Sequence, residues 1–292
     1  MEVQWPLVFF TLFISIGAGT FGVAGVLAGL KKGSSIQFLA TITALVAIII
    51  GGIASFLHLQ HWDRAFNGFG HITSGITQEL IAIAVLVIFA IIYLVLARRG
   101  EMPVWAGWVA ALLAVIVVIV AALSYNMAAR PVWNTPLLWL YYLSNAVLFG
   151  GLIVSLLLGL KKEAGEVAIK VSLVGAALTL VSLVGYLIYI PSIASRFTSV
   201  GNYFDPTHPT KAMIDPAAIL SGFATGSEAM LFWGGAVIVG ALIPLVAAIL
   251  CNKKEGSFLI GVSLIGALCS IVGAICFRVV LYALGFSVFV FY

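Results

Sequence analysis

The sequence predicts an all-α, polytopic membrane protein with eight transmembrane helices in a single integral-membrane domain, residues 1–292. Three observations predict it. The chain is 63% hydrophobic with a mean hydropathy of +1.22, whereas a soluble globule is only about half apolar. Eight runs, near 7–30, 36–58, 76–97, 104–127, 136–160, 168–190, 229–251 and 257–284, reach the about 20 apolar residues that a spanning helix needs. Charged residues make up 8% and gather between the runs, so almost nothing is left for a separate soluble domain.

Taken in order, the first run ends at Lys31-Lys32, and no positive n-region or cleavage site marks it as a removable signal peptide. The second ends at His58 and leads into a longer connection, about 59–75, before the third, which ends at Arg98-Arg99. The fourth, fifth and sixth follow after short connections, as in antiparallel bundles; Lys161, Lys162 and Lys170 flank the fifth and sixth. The connection 191–228 carries Pro191, Pro206, Pro209 and Pro216 and reads as proline-structured chain without helix. The seventh run contains Pro244, which should kink it, and ends at Lys253-Lys254; the eighth contains Arg278. Phe21-Gly22 with Gly29-Leu30-Lys31-Lys32 is echoed by Phe149-Gly150 with Gly159-Leu160-Lys161-Lys162, a hint of two four-helix bundles that chance also produces.

Nine of the fourteen Lys and Arg residues flank the connections after the odd-numbered helices. The positive-inside bias makes those connections cytoplasmic and turns both termini outward. The net charge of +4 lies in short loops and forms no folded basic face, which excludes nucleic acid as a partner. Cys251, Cys269 and Cys276 form no C-x-x-C pair, so neither an iron–sulfur cluster nor a disulfide is expected in this protein.

The remaining ionisable residues crowd toward one side: His58, His61, Asp63, Arg64, His71, Glu79, Arg130, Glu228 and Arg278. Arg278 lies 21 residues beyond the start of its run, roughly 31 Å along a helix, which brings it to the level of His58 and Glu79. No series of charges crosses the membrane, so a face-to-face ion pathway is not expected. His58 and His61 share one helix end, which disfavours bis-histidine haem, and His-x-x-His without further ligands is a poor zinc site. A quinol site fits better. Quinol oxidation releases two electrons and two protons, and His58, with an ordinary pKa of about 6.5, suits proton uptake. Glu79 can take the second proton, Arg64 or Arg278 can compensate its charge, and Trp62, Phe66 and Phe69 can line the ring. Set against this, His58 can be an interfacial residue without chemistry, Trp62 and Trp133 belt anchors, Glu228 a helix cap, and Arg278 a residue snorkelling outward.

Ser55-Phe56-Leu57-His58-Leu59, Arg64-Ala65-Phe66-Asn67, Ser74 and Glu79 resemble the membrane anchor subunit of dimethyl sulfoxide reductase and related molybdoenzymes. Asn134-Thr135-Pro136, Phe149-Gly150-Gly151 and Arg278 with Tyr282 extend the resemblance over most of the sequence. It implies an anchor without haem in a bacterial cytoplasmic membrane, binding menaquinol near the outer surface. Electrons would pass to an iron–sulfur subunit and on to a molybdopterin catalytic subunit, both on the outer side. His58 and Glu79 match the family's quinol-site residues; the family's Gly and Pro after His-Leu are replaced by Gln60, His61 and Trp62. Its Glu four residues before the last-helix Arg is Ala274 here, which leaves Glu79 as the expected partner of Arg278. The expected quinol-binding set is therefore His58, Arg64, Phe66, Glu79 and Arg278. A small-solute or proton transporter, or a scaffold without chemistry, are the competing functions; the first lacks a midplane site of broken helices or buried charges.

Overall fold

The computed structural model describes residues 2–57, 70–100, 102–199, 204, 207–251 and 255–289. Its helices are α1 (Trp5–Gly29), α2 (Gln37–Phe56), α3 (Gly75–Arg99), α4 (Val104–Ser124), α5 (Pro136–Leu160), α6 (Glu166–Ser192), the short α7 (Pro216–Ser221), α8 (Met230–Cys251) and α9 (Gly256–Ala283). Eight of these, all but α7, are long and apolar enough to cross a membrane. The fold is the expected all-α membrane bundle.

Local chemistry sets the helix ends. Thr135 caps α5 by accepting from the Leu137 amide at 3.3 Å, with Pro136 at the first helical position. The third helix stops at Gly100, whose φ of 74° is one that side chains avoid. Two expectations change. The connection 191–228 is not purely irregular: Pro191 lies inside α6, a 3-10 turn covers Ala194–Phe197, and α7 follows with Asp215 capping Ala218. Proline at a first helical position gives up no helical hydrogen bond, so Pro216 starts a helix. In α8, Met230–Leu242 is wound as a π-helix and Ile243–Cys251 as an α-helix, with Pro244 two residues into the tighter part.

Packing divides the helices into two four-helix halves. In the first, α1 lies against α2 and α4, and α3 closes against α4 and α2; in the second, α5 lies against α6 and α9, and α8 closes against α9 and α6. The halves meet along α1 and α5, whose spanning segments are 83% and 72% buried against 17% for α3. These two central helices are both 25 residues long and end alike. Lys31 and Lys162 take φ of 58° and 57°, and the next amides reach back to Leu27 and Leu158 at 2.8 and 2.9 Å. The two members of the sequence echo thus fall on the two central helices, whose first residues are 131 apart, although the echo itself is offset by 128 residues at Phe21 and by 130 at Lys31 and so does not share the register of the helix ends.

The start of α1 and the end of α9 lie at one end of the bundle, here the terminal face. The C-terminal segment is tied there to the α4–α5 connection: the Val288 amide donates to Ala129 at 2.8 Å, and Arg130 donates to the Gly285 carbonyl.

Candidate functional site

On α3, Thr77, Glu79, Leu86, Ala90 and Tyr93 are buried, the last four at spacings of seven, four and three that form one helical stripe. The rest of the helix is largely exposed, as a lipid-facing surface would be. Glu79 therefore sits on the inward stripe, one turn from the helix start. It is brought to α4 by Gly75, where even a Cβ would lie 3.1 Å from the Ser124 backbone. Ser124 Oγ donates toward Glu79 Oε2 at 3.3 Å, and lies 2.8 Å from the Ala121 carbonyl. One hydroxyl carries one hydrogen, so the shorter bond leaves little for the carboxyl. Glu79 Oε1 has no hydrogen-bond partner among the described residues. A buried carboxyl this weakly bonded costs free energy, which makes it a candidate for a functional role.

The charged side chains buried among the described residues are Glu79 and Arg278. The two are not partners. Arg278, 1% exposed, donates from Nε to Thr11 Oγ1 at 2.9 Å, from Nη2 to the Thr11 carbonyl and Ser15 Oγ at 3.3 Å each, and from Nη1 to the Ala274 carbonyl at 3.2 Å. Its guanidinium lies 4.9 Å from the Tyr142 ring centre and 5.9 Å from that of Tyr141. The expected Glu79–Arg278 pair is thus replaced by hydroxyls and carbonyls of α1 and α9 and by aromatic faces of α5. Nor does Arg278 snorkel outward: α1 and α5 enclose it at their own seam. The position where the resemblance leads one to expect a carboxylate, Ala274, supplies its backbone oxygen instead.

Between the two charges stands an aromatic cluster. Tyr125 is 6.2 Å from Tyr142 and 6.0 Å from Trp133, and Trp133 is 5.2 Å from Tyr282, ring centre to ring centre. Trp133 is not a belt anchor; it is buried and donates from Nε1 to the Leu281 carbonyl at 2.8 Å. Glu228 accepts from its neighbour Ser227 and does not cap α8, whose first residue is preceded by Ala229. His58, Arg64 and Phe66, with His61, Trp62, Asp63 and Phe69, lie outside the described residues. No grouping of three or more His, Cys, Asp or Glu side chains that could hold a metal ion occurs among the described residues. Sequence reasoning does not single out Thr11, Ser15, Tyr125 or Tyr142. Only the polarity of Thr11 and Ser15, which with Thr20 interrupt the apolar first helix, signals any of them.

A family model described as "DMSO reductase anchor subunit (DmsC)" matches residues 1–284. The protein belongs to this family. It is also 32% identical over 192 residues to the C subunit of the anaerobic dimethyl sulfoxide reductase of Haemophilus influenzae, a match covering 62% of the present sequence and 68% of that subunit.

In this DmsC-family anchor the hydroxyls that accept from Arg278 have hydrogen-bond acceptors of their own. Thr11 Oγ1 already lies 3.0 Å from the Leu7 carbonyl and Ser15 Oγ 2.8 Å from that of Thr11, so removing the guanidinium orphans no donor. Arg278→Met, which keeps the apolar stem and removes the cost of burying a charge, is expected to unfold at no lower temperature than wild type. Thermal unfolding in mild detergent checks this; a clear drop would show that the guanidinium holds α1 to α9.

Proposed function

We propose that this protein is the quinol-binding anchor of a molybdopterin oxidoreductase complex of the dimethyl sulfoxide reductase type, acting only within that complex. The observation that carries the proposal is the placement of Glu79: a buried carboxyl with one oxygen that has no partner among the described residues, on the inward stripe of α3, after the segment containing His58 in sequence. Menaquinol is the proposed substrate. Arg64, Phe66 and the start of α3 would contribute to binding its ring. His58 and Glu79 would take the two protons while the two electrons leave for the iron–sulfur subunit. Arg278 supports the site as a fixed positive charge behind Tyr142. The distribution of Lys and Arg supports an inner-membrane orientation with the terminal face outward, where the iron–sulfur and molybdopterin subunits would dock.

The test uses membranes carrying the full-length anchor with its partner subunits. His58→Arg and Glu79→Gln are expected to stop S-oxide reduction driven by a naphthoquinol, while reduction driven by a dye that feeds the partner subunits directly persists. Wild-type quinol turnover in both variants would sink the site.

A further inference from the structure

We infer that one phospholipid with an ethanolamine headgroup binds along the seam between the two halves. Its headgroup lies at the lysine-rich face, opposite the terminal one, and one acyl chain lies in a groove between α4 and α6. This goes beyond the quinol reading and does not depend on it.

The seam between α1 and α5 is packed differently on its two sides. Toward α2 and α9 it is filled by large side chains, Phe13, Phe149, Ile153 and Ile271 among them. Toward α4 and α6, small residues leave it open. Gly19, Gly22, Ala114, Val118, Val147 and Val171 line a groove there with about 480 Å³ of open space, and every lining residue is apolar. From Ala18 to Val26 on α1 the groove runs about 12 Å. Val115 on its rim is exposed and Val171 half-buried, so it opens to the surroundings of the bundle, which are hydrocarbon at this depth. Water finds no polar partner in such a space, whereas a chain of methylenes supplies the contacts that the open side lacks.

Toward the lysine-rich face the groove leads to charge. Val23 and Val171 belong to the groove; Leu27 and Val167, each one helical turn or about 6 Å nearer that face, belong to a second pocket. This pocket has about 680 Å³ of open space, and its lining includes Lys32, Glu163 and Glu166. Beside it Trp108, 47% exposed, packs against Gly29, where a Cβ on the glycine would lie 2.7 Å from the indole. An indole at headgroup depth is a usual bilayer anchor. One cation beside two carboxylates complements a phosphate next to a primary ammonium. A purely anionic headgroup would gain Lys32 but face both carboxylates with its own negative charge. The tail of a quinol fits less well, because Glu79 lies near the start of α3, at the terminal end, and the polar end of this track is at the other face.

The full-length protein is extracted from its native membrane in mild detergent, and retained lipid is counted by native mass spectrometry and headgroup analysis. About one ethanolamine phospholipid per protein is expected. Val115→Phe and Val171→Trp, which fill the groove from its open rim, are expected to lose it, while Leu112→Phe, on the exposed side of α4, keeps it. Glu163→Gln combined with Glu166→Gln is expected to lower the preference for ethanolamine over glycerol headgroups about fivefold, the scale of two exposed charge pairs. Delipidated wild-type protein, titrated with phosphatidylethanolamine, phosphatidylglycerol or a long-chain menaquinone while thermal unfolding is followed, gives a readout that needs no variant. A rise in unfolding temperature that saturates near one phosphatidylethanolamine per protein is expected. An equal or larger rise with phosphatidylglycerol would overturn the headgroup assignment. A rise with menaquinone alone would give the groove to a quinol tail and overturn the proposal, as would lipid retention unchanged in both groove-filling variants or no retained lipid at all.

Discussion

Glu79→Gln is expected to reduce menadiol-driven turnover by about 100-fold or more, the usual scale for losing a positioned proton acceptor. The substitution is close to isosteric, and its amide oxygen can keep the weak contact that Ser124 Oγ now makes at 3.3 Å. What it removes is a carboxyl oxygen able to bind and release a proton at the position of Oε1, which faces no donor among the described residues. The complex should still assemble, because the hydrogen bond of Glu79 to α4 is weak; dye-driven turnover reports this. Glu79→Asp, which keeps the acid but draws it back by one methylene, is expected to recover part of the rate. Equal loss in both variants would point to shape, not proton transfer, as the function of this side chain.

The largest effect on the fold is expected from Gly19→Val. At the α1–α5 seam a Cβ on Gly19 would lie 2.0 Å from the Ala146 carbonyl oxygen, and one on Gly150 would lie 2.2 Å from that of Gly19. These are backbone atoms, so no side chain can turn aside, and the two central helices must separate. Overpacking a rigid core ordinarily costs about 1–3 kcal/mol, and here it opens the interface that joins the two halves. Gly19→Val is expected to leave little folded protein extractable in mild detergent. Gly52→Val, at a position where nothing lies within 4 Å, should be extracted as well as wild type. Comparable yields for the two would show that the seam is softer than its spacing indicates.

Both effects arise from residues that the sequence treats very differently. Glu79 stands out because an acid inside a 25-residue apolar helix is conspicuous in a protein with 8% charge. Gly19 is one of 30 glycines, and nothing in its neighbourhood separates it from Gly52. Close helix approach depends on which glycines face which helix, and in α1 nearly every side is buried, so periodicity carries no direction there. The same limit explains Trp133 and Arg278. A tryptophan or an arginine near a helix end is an ordinary interfacial residue by position, and the sequence leads one to expect each to face outward or, for the arginine, to meet the acid. Both are instead enclosed, Arg278 by α1 and α5 and Trp133 beneath the terminal segment, which folds back over the α4–α5 connection through Val288 and Arg130.

By itself the sequence determined the class, the eight spans to within a few residues, the family and the crowding of polar residues toward one end. The class and the spans follow from composition and from run lengths set by hydrocarbon thickness, and the family from short motifs around His58 and Glu79. Only the tertiary structure decided that α1 and α5 are the centre, and that Arg278 answers to Thr11, Ser15 and Ala274 and not to Glu79. The physical reason is that apolar runs specify burial in lipid with great redundancy, whereas this guanidinium makes three of its four hydrogen bonds to residues 263 and 267 positions away in sequence, through contacts that no local pattern encodes.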